Sequence, residues 1–244
     1  SATTNSDVTI DGLNLDMSGG NGIEVTAASN ANSFTMRLVD GDLEENVVVN
    51  ATGSGLFQMR TEDTSINVTG TTDAFAVAIS GSANNVNMIL SDTDFVAENA
   101  SALSITTSGG TAKTFGLLVE NGSFMNDSTS AAAEFNIGGN TLFNATIRGN
   151  IFDNANAGGE DFYMTSLSAQ TRVRLNLGGD DVEDMNTASA GVGNFVLEET
   201  AGVFSVFERD ETFMDNRNNG TVVPMPNAAA FDNLLVAPPV PVIP

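Results

Sequence analysis

Apolar residues in this chain come in short alternating stretches, each followed by a polar turn and then another large apolar residue. Val86-Asn87-Met88-Ile89-Leu90 leads through a polar segment to Phe95, and Phe115-Gly116-Leu117-Leu118-Val119 leads in the same way to Phe124. The pattern returns at Phe143 to Phe152, Val173 to Val182 and Phe204 to Phe213, and earlier at Phe34 to Leu43 and Phe57 to Ile66, with a partial first copy at Val8 to Leu15. The closing residues Leu43, Ile66, Phe95, Phe124, Phe152, Val182 and Phe213 stand 23, 29, 29, 28, 30 and 31 residues apart. Nine positions before each stands Phe34, Phe57, Val86, Phe115, Phe143, Val173 or Phe204, and seven before stands Met36, Met59, Met88, Leu117, Ala145, Leu175 or Val206. A second alternation follows most closing residues, as in Phe75-Ala76-Val77-Ala78-Ile79, Leu103-Ser104-Ile105, Phe135-Asn136-Ile137 and Phe162-Tyr163-Met164.

A period of two places one face inward and the other outward, which predicts strands. Self-similarity at close to 29 residues predicts a solenoid, because one copy cannot bury its apolar face while stacked copies share a continuous core. Equivalent residues then lie above one another, so Phe34 and Phe57 stack inside, as do Phe115 and Phe143. Seven to eight coils at about 4.8 Å each make a rod of roughly 35–40 Å. The drift of the period reflects connections of unequal length.

The strand, polar turn and Phe-x-x-Asn of Asp94-Phe95-Val96-Ala97-Glu98-Asn99 and Thr212-Phe213-Met214-Asp215-Asn216, with the entry Val8-Thr9-Ile10-Asp11-Gly12-Leu13, resemble the coils of the right-handed parallel β-helix, the pectin-lyase-like superfamily. The resemblance runs from about Val8 to about Val223 and implies an all-β fold, not one activity, since the fold hosts many. All six prolines lie beyond Val223. A proline cannot donate to a strand ladder, so the regular stack is expected over 1–223 and a Pro-rich tail over 224–244. Phe231 and Leu234 to Val236 are expected to cap the last coil, or else the tail is a linker or an arm docking on a neighbour.

Composition narrows the chemistry. There is no His and no Cys, which excludes His-based triads, thiol nucleophiles and disulfides. Eight Lys plus Arg against thirty-one Asp plus Glu leave a charge of −23. Such a surface repels nucleic-acid backbones and anionic membranes, and no apolar run reaches the roughly 18–20 residues of a membrane span. The chain starts at Ser1 without Met or a signal region, as a processed mature chain or a fragment would. The acidic, Lys-poor, Cys-free composition points to an extracellular or cell-surface protein, with the acid excess discouraging edge-to-edge strand pairing.

Two groups of residues are candidate sites. Asp40, Asp63 and Asp92 share the position three before the closing residue, flanked by Asp42 and Asp94 and continued by Asn121, Gly149, Gly179 and Asp210. Carboxylates stacked at coil spacing repel, and Ca²⁺, with six to eight oxygen ligands, would relieve that repulsion. The alternative is that Asp, Asn and Gly stand there because they tolerate turns. The resemblance implies that polysaccharide-cleaving relatives use a basic residue near acids, for which Arg37 and Arg60 beside Asp40 and Asp63 are the available choice; otherwise they simply neutralise those acids. Glu160-Asp161 and Asp180 to Asp184 read as solvated turns, and the Asn-x-Ser/Thr triplets carry no weight in so Asn-rich a chain.

The sequence is therefore expected to encode a non-enzymatic structural or adhesive rod resembling the passenger of a bacterial autotransporter, self-associating end to end or laterally or binding another surface protein. A polysaccharide-binding or polysaccharide-cleaving module is the alternative. An ice-binding solenoid ranks last, since its threonines form no sustained column.

Overall fold

The computed structural model describes residues 6–12, 14–15, 22–27, 33–53, 55–80, 83–178, 184–188, 194–207, 218–225 and 232–243. They form a parallel β-solenoid with three faces. The first face stacks Ser6–Asp11, Ser33–Val39, the leading parts of Gly55–Val68 and Ala83–Ala97, Lys113–Glu120, Thr141–Arg148, the trailing parts of Phe162–Leu177 and Asn194–Phe207, and Asp232–Leu234. The second stacks Asn14–Leu15, Asp42–Leu43, the trailing parts of Gly55–Val68 and Ala83–Ala97, Ser123–Asn126, Ile151–Asn154, Asn186–Ala188 and Asn218–Asn219. The third runs through Ile23–Ala27, Val47–Ala51, Phe75–Ile79, Leu103–Thr107, Ala133–Ile137, the leading parts of Phe162–Leu177 and Asn194–Phe207, and Thr221–Met225. About five coils, between Ser33 and Ser166, carry all three strands with few breaks, fewer than the seven to eight expected; strands at both ends extend the ladders.

The two apolar columns of the repeat are the inward rows of the first face. The register sets Phe34, Phe57, Val86, Phe115, Phe143, Val173 and Phe204 in line, and Met36, Met59, Met88, Leu117, Ala145, Leu175 and Val206 beside them. Phe34 and Phe57 stack with ring centroids 5.5 Å apart, and Phe115 meets Phe143 edge-on at 5.0 Å. On the second face Phe95, Phe124 and Phe152 follow one another at 5.6 and 5.3 Å, and Phe75 of the third face closes on Phe95 at 5.1 Å. Burial of each ring contributes about 1.5–3 kcal/mol, and edge or offset geometry adds to it.

Periodicity misplaces the later closing residues. Phe152 pairs with Ala188, and Asn186 and Thr187 pair with Asn218 and Asn219. Val182 and Phe213, expected in this column, lie outside the described residues, as do Leu13, Gly179, Asp180 to Glu183, Asp210 and Phe231. A buried asparagine ladder, described below, sets the register here in place of the apolar spacing.

The ladders also continue past Val223. Pro224 sits within Thr221–Met225 opposite Leu197, on a terminal strand where a missing N–H is tolerated. Asp232–Leu234 then pairs with Ser205–Phe207. Beyond it Leu235 and Val236 are exposed at 86% and 72%. The tail instead returns along the outside of the first face. Ile243 packs on Ile89 and Leu118, and a Cβ added to Gly116 would lie 3.3 Å from Pro241. The arm is thus docked on its own chain. Crossing about four strand spacings, about 20 Å, is within reach of nine extended residues. A segment running across strands has no ladder to join, so its prolines sacrifice no hydrogen bond.

Candidate functional site

The corner between the first and second faces holds the acidic column. Gly12, Asp40, Asp63, Asp92, Asn121 and Gly149 all adopt left-handed backbone, with φ between 48° and 65°. Only Gly, and Asn or Asp among residues with a side chain, visit this region routinely, so a sharp corner repeated on each coil selects these three types. Asp40, Asp42, Asp63, Asp92 and Asp94 are exposed. Among the described residues no three acids come together as a metal cage. A substitution series separates a backbone role from a ligand role. Asp92→Gly will leave stability unchanged or raise it by up to about 1 kcal/mol, whereas Asp92→Val will cost about 1–2 kcal/mol in denaturant unfolding. Equal losses for both would mean that the carboxylate itself matters.

Arg37 and Arg60 stack in register on the outer side of the first face. Arg60 pairs with Glu62 at 2.8 Å, and Arg37 also has a partner. The Asp column turns outward at the next corner. An exposed pair of this kind is worth about 0–1 kcal/mol.

Glu160-Asp161 is not a solvated turn. Asp161 is 3% exposed and accepts from the amides of Asn154 at 2.8 Å and Asn194 at 3.0 Å, clipping two coils together. The described end of the other acidic run, Asp184, offers its carbonyl to the amide of Gly149 at 2.7 Å. Of the Asn-x-Ser/Thr triplets, Asn126 and Asn144 are buried.

Sequence reasoning missed the position just inside the acidic corner. The register aligns Gly41, Thr64, Thr93, Gly122, Asn150, Asn186 and Asn218 there. Asn150 Nδ2 donates to Asn186 Oδ1 at 3.0 Å, and Asn186 Nδ2 donates to Asn218 Oδ1 at 2.9 Å. The same amides donate to the carbonyls of Val119, Arg148 and Ile147 at 2.8–3.0 Å. The available signal was a small polar residue two places before each inward closing residue. It was obscured because Asn150, Asn186 and Asn218 are separated by 36 and 32 residues.

Outside the third face, the Tyr163 hydroxyl donates to Glu198. Burial first, then Glu198, pushes the Tyr163 phenol up to about 12, so it stays a protonated donor at neutral pH. Burial also raises the Asp73 carboxyl above its ordinary range, although the Ser101 amide donates to it at 3.0 Å. Ser101 Oγ reaches Glu134 at 3.3 Å, and Asn136 donates to the same carboxylate at 2.6 Å. On the second face a groove of about 430 Å³ runs beside Met125, bordered by Glu98, Asp127 and Asp153.

The corner between the third and first faces is different in sign. A cleft of about 450 Å³ is lined by Lys113, Thr114, Asn140, Gln170 and Arg172 with small neighbours, and no carboxylate lines it. Lys113, the chain's one lysine, is 3% exposed, and its ammonium donates to the Ser108 carbonyl. Burial lowers its pKa from the ordinary lysine value. Arg172 is exposed. The corner beneath is tightly built: a Cβ at Gly139, whose φ is 69°, would lie 2.3 Å from the Gly109 carbonyl oxygen.

Comparison with known families, curated proteins and solved structures finds no match. Function therefore has to be argued from the surfaces that the solenoid presents, since a fold alone does not specify one.

Proposed function

We propose that this chain is a non-enzymatic structural or adhesive rod, a right-handed β-helix of the pectin-lyase-like kind acting outside the cell or on its surface in the manner of an autotransporter passenger. The strand, polar turn and Phe pattern supports the kinship. The observation that carries the functional reading is the parallel register that runs with few breaks between Ser33 and Ser166 around one shared apolar core. Stacked coils of this kind resist bending and proteolysis, and their faces and corners display side chains at a regular spacing. Among the described residues Ser6–Asp11 and Asn218–Asn219 pair on one side only, an arrangement that favours association through strand edges, while the −23 charge opposes it until cations screen or bridge the corners.

Sedimentation velocity over a wide concentration range, with and without Ca²⁺, tests the reading. Concentration-dependent oligomers, enhanced by Ca²⁺ and visible as extended particles by electron microscopy, are expected. Monomers alone at every concentration in both conditions would remove its support.

A further inference from the structure

We propose that the cleft between Lys113 and Arg172 is a binding site for an oxyanion group, a phosphate or a carboxylate, carried on a small polar molecule. Its lining is opposite in sign to the molecule as a whole. In a chain of net charge −23, this cleft brings together a lysine and an arginine without a lining acid. Glu199, on the next coil, is engaged by the Phe204 amide at 2.9 Å. Remote carboxylates repel an incoming anion only weakly, because at about 0.1 M salt their field decays over about 10 Å, whereas the exposed Arg172 lines the cleft itself.

The two cations have different tasks. The Arg172 side chain takes part in no hydrogen bond or ion pair among the described residues, so its planar fork is available for a bidentate oxyanion. Lys113 is anchored on the Ser108 carbonyl and supplies charge from beneath. A bare desolvated ammonium is costly, and an anion seated beside it offsets that cost. Asn140, Gln170 and Thr114 add neutral donors and acceptors for the carrier. The cleft volume of about 450 Å³ exceeds what a free phosphate fills and falls in the range of small-molecule sites.

The frame is pre-organised as well. Ser168 Oγ and Thr171 Oγ1 both donate to the Gly139 carbonyl, at 2.7 and 2.9 Å, and Thr141 Oγ1 donates to the Gly138 carbonyl at 2.7 Å. Lys113 and Arg172 belong to strands paired on both sides, the regular pairing of Phe162–Leu177 with the next coil resuming at Arg172 after an irregular stretch from Leu167. A site on rigid strands loses little entropy when it binds.

Isothermal titration calorimetry of the full chain at about 0.1 M salt, where the remote carboxylates are screened, with glucose 6-phosphate, gluconate, inorganic phosphate and glucose, tests this. At least one of the two six-carbon anions is expected to bind, with inorganic phosphate weaker and glucose silent; the tighter anion identifies the preferred oxyanion. Arg172→Gln is expected to weaken that binding by about tenfold or more, while Arg60→Gln, which removes the same charge at a remote place, leaves it unchanged. Circular dichroism of each variant checks that the fold is retained. The proposal is overturned if neither anion binds at about 10 mM, if glucose binds as tightly, or if the two arginine variants behave alike.

Discussion

Phe124→Ala will lower the unfolding free energy by about 3–5 kcal/mol. The ring is fully buried, edge-on to Phe95 at 5.6 Å and stacked on Phe152 at 5.3 Å. Its strand is bonded on both sides, to residues 94–97 and to residues 151–154, so neither neighbour can move in to fill the space. The loss therefore combines the transfer of the ring with a cavity that does not collapse. Met125, the next residue, points outward and is 37% exposed; Met125→Ala will cost less than about 1 kcal/mol. Because each coil contacts only its neighbours, the Phe124 variant should also lose cooperativity at the middle of the stack and show a broadened transition. Urea unfolding followed by circular dichroism measures both effects. Comparable losses at the two positions would contradict the inward and outward assignment.

Asn186→Leu will be nearly as costly, about 3–5 kcal/mol, although leucine has the same number and branching of side-chain heavy atoms as asparagine. Asn186 is fully buried and Oδ1 accepts from the Asn150 amide at 3.1 Å and from Asn150 Nδ2 at 3.0 Å. Its Nδ2 donates to the Ile147 carbonyl at 2.8 Å and to Asn218 Oδ1 at 2.9 Å. An apolar replacement leaves several of these groups buried and unsatisfied, at about 1–3 kcal/mol each before relaxation. The early coils solve the same position differently, with Thr64 Oγ1 donating to the Leu38 carbonyl at 3.2 Å. Replacing Asn150, Asn186 and Asn218 together by Thr should consequently cost less than three times the Asn186→Thr change, because each single change orphans its neighbours' amides. Strict additivity across this cycle would argue against a coupled ladder.

The inward rows were the most legible part of the molecule. Phe34, Phe57, Phe115 and Phe143 announce themselves because a period of two inside a period close to 29 leaves stacking as the way to bury them together. The acidic column was visible as a column but ambiguous as chemistry. A run of Asp, Asn and Gly looks the same whether the backbone or a cation selects it, and only the left-handed φ of Asp40, Asp63, Asp92 and Asn121 exposes the backbone demand. Asp161 was misread because local polarity suggests solvent, whereas its carboxylate joins the Asn154 amide of its own coil to the Asn194 amide of the next. The Lys113–Arg172 cleft was not foreseen. Those residues stand 59 positions apart, and what joins them is the pairing of Thr114 with Leu142 and of Leu142 with Arg172.

By itself, then, the sequence determined the class of fold, the identity of the inward rows and the acidic, thiol-free surface, because alternation and repetition are local properties of the chain. The tertiary structure decided everything that depends on which coil lies next to which. It paired Phe152 with the small Ala188 in place of a residue at the regular spacing, since buried amides must meet one another. It returned the proline-rich tail over the first face, where Ile89 and Leu118 break the outward polar pattern and need a cover. It also placed a lysine and an arginine around one cleft on an otherwise acidic rod, a juxtaposition that stacking produces and linear spacing does not reveal.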